Sequence, residues 1–190
     1  KSIVCAILNV LFTFLFAFYA PPTDLEVINT MDLSTYENER VWISDSDAQF
    51  FIFIFIDPNC PISQKYIPTI NLLVEAHDLS VYGVQPNPGI DNAEIIKFKE
   101  EYEFRFPVIN DTAQKLTYYL NALVTPEVFL LDNSGNIIYS GAIDNWFFDL
   151  GRYRKEATIH YLKEALDSNY GTLFSVNNKT KAIGCLIQRE

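Results

Sequence analysis

Positive charge is scarce in this 190-residue sequence: 14 Lys and Arg stand against 24 Asp and Glu, a net of −10. A nucleic-acid binder needs a basic patch, so that class is excluded. The acidic balance reads as a water-facing surface. Cysteine is scarcer still, with only Cys5, Cys60 and Cys185. The two histidines, His77 and His160, lie on helical stretches far in sequence from the cysteines and read as structural. No internal repeat or low-complexity linker divides the chain, and its length suits one domain. Apolar residues are plentiful, at 49%, with 15% aromatic, enough for a large core.

Residues 1–20 differ from the rest. Lys1 precedes an apolar run broken only by Ser2, Asn9 and Thr13, and Pro21-Pro22 ends it. This pattern reads as a secretory signal peptide or an N-terminal membrane anchor over residues 3–20. Phe18 stands where a cleavage site prefers a small residue. Either reading makes the domain exported, to the periplasm or another extracytoplasmic space. With Cys5 in that segment, Cys60 and Cys185 remain, an even number in an oxidising compartment. A bond between them would close a loop of about 125 residues and stabilise by up to about 4–5 kcal/mol.

The centre of the chain is Phe50-Phe51-Ile52-Phe53-Ile54-Phe55-Ile56, followed by Asp57-Pro58-Asn59-Cys60-Pro61-Ile62-Ser63. Seven apolar residues of strand-forming type suit a strand buried on both faces. Asp57-Pro58-Asn59 reads as a turn. Pro61 fits the first position of a helix running to about Ala76, with Pro68 inside it. Cys60 then falls at or near the N-cap, where free N–H groups and the helix dipole favour a thiolate. Asp57 pushes the other way, so the expected depression of its pKa is modest.

Residues 21–49 read as polar and irregular, with Val41-Trp42-Ile43 as a short strand. A second strand is expected at 79–84, and a helix capped by Asn92 runs to Tyr102 with Ile95, Ile96 and Phe98 inward. Phe106–Ile109 reads as an edge-like segment. Asn110-Asp111 caps a helix over 113–120. Two apolar runs flank Asp132-Asn133-Ser134-Gly135-Asn136, a clear hairpin. The last helix is expected over 154–168, ended by Gly171. The order strand, helix, strand, helix, hairpin, helix implies a mixed sheet in an α/β fold.

With these residues in place, the chain resembles the thioredoxin-like superfamily. Within it, the likeness is to exported redoxins of the alkyl-hydroperoxide-reductase and thiol-specific-antioxidant type. Cys60 starts a helix after the first central strand, Pro68 stands eight residues on, and Thr125-Pro126 precedes the hairpin. Phe106-Pro107-Val108-Ile109-Asn110-Asp111 follows the redoxin pattern. The tail Thr180–Cys185 is similar to redoxins with Cys-Pro at the helix and Gly-Cys near the end. The likeness covers residues 45–168. It implies a thioredoxin-like domain over 45–170, a polar extension over 21–44 and a tail over 171–190. It also implies a cis-proline at Pro126.

The chain departs from these families too. No second cysteine stands two residues beyond Cys60; Ser63 does. Phe53 and Asp57 replace the proline and threonine of the peroxiredoxin motif. Copper delivery needs two cysteines and a histidine, and that set is incomplete, so neither metal nor cofactor is expected.

The function expected is a thiol–disulfide oxidoreductase with Cys60 as nucleophile and Cys185 or an outside thiol resolving the mixed disulfide. Protein or small-molecule thiols and disulfides are the partners. Pro61, Ser63, Thr125 and Pro126 are expected to contact substrate, and Thr125 to offer backbone groups to an extended segment. Two alternatives stand beside it. One is a thiol peroxidase, in which peroxide converts Cys60 to a sulfenic acid. The other is a non-enzymatic module stapled by Cys60–Cys185.

Overall fold

The computed structural model describes residues 24–43, 48–77, 79–169 and 178–189. Residues 1–23, which include the segment expected to direct export, and Gly171 lie outside the described residues. No described helix is long and apolar enough to cross a membrane.

A five-stranded sheet forms the centre. In chain order it takes β1 (Phe50–Phe55), β2 (Ser80–Gln85), β3 (Val108–Asn110), β5 (Glu127–Asp132) and β6 (Ile137–Gly141), with the two-residue β4 (Val124–Thr125) lying outside it. The strands are arranged β3-β2-β1-β5-β6. β1 pairs parallel with β2 and antiparallel with β5, so the sheet is mixed. β1 lies in the middle because it has no polar side to show water. Its alternate residues feed two cores, as a strand's period of two requires.

Ile52 and Ile54, with Ile56 just past the strand, face one layer. There they meet Ile62, Tyr66, Ile67 and Ile70 of helix α2 (Pro61–Glu75), and Ile95 and Phe98 of helix α3 (Asn92–Tyr102). Leu162, Ala165 and Leu166 of helix α5 (Tyr161–Asn169) join the same layer. Phe51, Phe53 and Phe55 face the other layer. They pack with Leu116 and Leu120 of helix α4 (Lys115–Leu120) and with Leu25, Ile28, Leu33, Val41 and Ile43.

Several sequence expectations need correction. The stretch read as irregular contains helix α1 (Asp24–Asn29), and Leu25 and Ile28 bury against the phenylalanines of β1. Residues 41–43 form no strand. Val41 N–H donates to Leu33 O at 2.9 Å and Ile43 N–H to the Asn29 side chain at 2.9 Å, which shapes a loop. Asp91, not Asn92, caps α3, in a reciprocal capping box with Glu94. Ile96 is exposed rather than inward. The last helix is shorter than expected because Asn145 captures the residues before it. Its side chain accepts from Thr158 N at 2.9 Å and Ile159 N at 3.2 Å, fixing them as loop. The hairpin of β7 (Phe147–Asp149) and β8 (Arg152–Tyr153) was not anticipated.

Candidate active site around Cys60 and Cys185

The turn after β1 aims Cys60. Asp57 Oδ1 accepts from Asn59 N at 2.7 Å, and Asp57 O accepts from Cys60 N at 3.0 Å. This tight turn leaves Cys60 at the N-cap of α2 with extended backbone, φ −89° and ψ 111°, and Pro61 inside the first turn. Cys60 itself makes no side-chain cap, so its sulfur turns elsewhere. It is only 1% exposed.

The sulfur meets the segment before the hairpin. Thr125-Pro126 is a cis peptide, and Thr125 O accepts a hydrogen bond from Cys60 Sγ at 3.0 Å. On its other side Thr125 pairs with the tail. The last strand, β9 (Cys185–Leu186), runs antiparallel to β4, with Thr125 opposite Cys185 and Val124 opposite Leu186. The backbone ladder expected to receive a substrate segment is therefore filled by the chain's own tail.

Close approach explains Gly184. A Cβ there would stand 2.2 Å from Thr125 O, which no side chain can do. Gly141 serves the same purpose farther up. Its φ is +127°, and a Cβ would stand 2.1 Å from Thr180 O. Beside it, Ser140 exchanges backbone hydrogen bonds with the tail at Asn178 O and Thr180 N. Thr180 Oγ1 also lies 2.5 Å from Tyr139 Oη and accepts from Ala142 N at 3.0 Å. Beyond Cys185, Gln188 N donates to Asn87 Oδ1 at 2.9 Å, and Asn87 Nδ2 donates to Asp57 Oδ2 at 2.5 Å. Asn87 thus ties the turn before Cys60 to the residues after Cys185.

Both cysteines are free thiols, Cys60 buried and Cys185 half-buried. Burial raises the pKa of Cys60, but hydrogen bonds from the Cys185 thiol and the Ser63 N–H, with Cys185 N–H and the Ser63 hydroxyl, outweigh it and lower the value. The bond to Thr125 O favours the protonated form and is lost on ionisation. Four donors replace it, so Cys60 ionises more readily than an ordinary thiol. Cys185 moves oppositely and is pushed up to about 12, first by burial, then by its hydrogen bond to Cys60 and by the charges of Cys60 and Asp57. Asp57 is thus among the groups that hold Cys185 protonated.

Cys60, Ser63, Thr125, Pro126 and Cys185 come together at one place. Pro61 lies on the rim of a groove of about 220 Å³ that Cys185 also lines. His77 and His160 lie elsewhere: His77 contacts Leu73 O and Asp167, and His160 is exposed. Among the described residues no cluster of three His, Cys, Asp or Glu side chains is placed to hold a metal. Sequence reasoning missed Asn87, Gly141 and the β7–β8 hairpin beside the groove. A glycine at 141 closing an apolar strand was the one available signal.

The model of the family described as AhpC/TSA matches residues 24–140, well over half of the chain. The chain belongs to the AhpC/TSA family. The match starts at α1, in keeping with that helix being part of the core, and stops before Cys185. No curated protein matches the chain. Among solved structures, this AhpC/TSA chain is similar to a hypothetical protein from Sinorhizobium meliloti 1021. The TM-score is 0.67 at 19% identity, over 83% of this chain and 90% of that one. An uncharacterized conserved protein from Geobacillus kaustophilus gives 0.66 at 21% identity, over 90% of each chain. A secreted Mycobacterium tuberculosis disulfide oxidoreductase gives 0.53 at 13% identity, over 72% of this chain and 93% of that one. These likenesses show the thioredoxin-like fold.

Proposed function

We propose that this AhpC/TSA chain is an exported thiol–disulfide oxidoreductase whose redox couple is Cys60 and Cys185. The observation that carries the reading is their meeting across Thr125, with Cys60 held by donors that favour its thiolate. A thiolate beside a thiol is the arrangement from which a disulfide closes once an oxidant removes two electrons. Thiols and disulfides of partner molecules are its substrates, in keeping with the similar mycobacterial disulfide oxidoreductase. Thr125, before the cis-proline Pro126, lies between the two, its O on Cys60 Sγ and its backbone paired opposite Cys185.

Thiol titration tests this. Oxidised glutathione should remove both free thiols and yield one Cys60–Cys185 bond by mass mapping. Cys60→Ser and Cys185→Ser should each abolish turnover of a dithiol substrate. If either variant keeps full turnover, the couple is wrong. Family membership favours a second reading, peroxide reduction at Cys60. Against it stand the near-complete burial of that sulfur and Asp57 in place of threonine. Peroxide consumption that vanishes in Cys60→Ser would support the peroxidase reading.

A further inference from the structure

The two sulfurs differ in access. Cys60 is 1% exposed and lies behind the tail, whereas Cys185 is half-buried and lines a groove of about 220 Å³ that Cys60 does not reach. Pro61, Ile62, Phe147 and Tyr153 give this groove apolar walls. Its charge is unlike that of the molecule. Lys65 stands exposed at the groove with its Nζ 4.1 Å above the Tyr153 ring, and among the described residues no carboxylate pairs with it. Lys65 is the charged side chain among the groove's lining residues. Arg152 and Arg154 lie over the exposed Phe148 at 5.0 and 5.1 Å on the same hairpin, outside that lining, and Arg152 pairs with Asp149 at 3.8 Å. A lysine at this groove, on a chain of net charge −10, favours an anionic visitor there. The volume suits one or two side chains of an extended segment.

We propose that partners meet this protein at Cys185, through the groove beside the β7–β8 hairpin, and that the partner is an acidic polypeptide segment carrying a thiol next to an apolar residue. The proposal rests on the Cys60–Cys185 couple. The partner's thiolate attacks Cys185 Sγ; the Cys60–Cys185 bond breaks and its electron pair leaves on Cys60 as a thiolate. A second partner thiol then attacks the partner sulfur of this mixed disulfide. The partner leaves as a disulfide and Cys185 leaves with the electron pair and takes a proton. The partner loses two electrons and the couple gains them. Of the dithiol's two protons, one ends on Cys185 and one in solvent. A low-pKa leaving group speeds the first step, and Cys60 is that group. This order exchanges the roles expected from the sequence, in which Cys60 meets the substrate and Cys185 resolves.

The test uses the oxidised full chain and three cysteine peptides of equal length, acidic, neutral and basic, each with one leucine beside the cysteine, with glutathione as a small anionic thiol. Reactions are quenched in acid and the adduct is mapped by mass spectrometry. The acidic peptide should react about 10-fold or more faster than the basic one at low ionic strength. The adduct should sit on Cys185. The preference should shrink in 0.5 M salt and reverse in Lys65→Glu, whose fold is checked by thermal melting. An adduct on Cys60, equal rates for all three peptides, or glutathione outpacing the acidic peptide would each overturn the proposal while leaving the couple intact. Failure of the oxidised chain to contain a Cys60–Cys185 bond would overturn the couple itself, and the groove's role with it.

Discussion

The segment around Cys60 and the segment around Cys185 are held by opposite means. Cys60 follows a strand whose side chains are buried on both faces, and the helix after it buries Ile62, Tyr66, Ile67 and Ile70. Cys185 lies on a tail whose apolar anchors are chiefly Ala182 and Ile187, and the rest of its hold is hydrogen bonds and two close backbone approaches. Apolar burial is non-directional and forgiving of small shifts. Hydrogen bonds and close approaches fail over a fraction of an ångström. The lesson is that one cysteine is fixed by the whole fold and the other by a few local contacts.

The harshest way to break that contrast is from the core side. Phe53→Ala, at a fully buried position, should cost about 3–5 kcal/mol and shift the whole denaturant transition. Next comes Gly184→Ala, whose methyl would collide with Thr125 O. It should cost about 1–3 kcal/mol. Much of that should appear as local release, so alkylation of Cys60 by iodoacetamide should accelerate about tenfold or more. Slow alkylation in a destabilised variant would mean that the tail does not cover Cys60. Thr180→Val removes a hydroxyl that meets Tyr139 Oη and Ala142 N. About 1–2 kcal/mol of stability should be lost, with hydrogen exchange rising first in residues 178–189.

A further contrast is a pH dependence in the reduced protein. Cys60 has a lowered folded pKa, so its contribution is fully present above the unfolded value of about 8.5 and is lost as pH falls through the folded one. Cys185 is raised, so its contribution is present below about 8.5 and is lost as pH rises toward about 12. Stability of the reduced form should therefore peak near pH 8.5. Cys60→Ser should flatten the acid side and weaken the alkaline fall, because Cys60 helps to raise Cys185, and Cys185→Ser should remove the alkaline fall. A monotonic profile in the parent chain would contradict the opposed shifts.

Much of this arrangement was legible in the sequence, and the misses share a cause. The alternation of Ile and Phe in 50–56 determines which side chain enters which core, because a strand's geometry leaves no choice. Turn residues and Pro61 located the start of α2 for similarly local reasons. The helix at 24–29 was not legible, since its six residues are stabilised by Phe51, Phe53 and Phe55 and not by their own propensity. The shortening of the last helix depends on Asn145, more than ten residues upstream of the residues it captures. The site divides likewise. Cys60 was legible from its own neighbours. The path of the tail depends on Ser140, Thr125 and Asn87, far away in the chain, and only the two glycines hinted at it.

The pairing of β9 with Thr125 can also be described as occupancy. The exposed ladder beside a cis-proline is a place where an extended peptide can add as a strand. Here a tethered strand already fills it, at the high effective concentration that attachment gives. The protein thus carries its own competitor. A visitor that recognises only backbone must displace that strand before it gains a single hydrogen bond. The approach proposed above, through sulfur, needs no such displacement, because Cys185 rides on that strand.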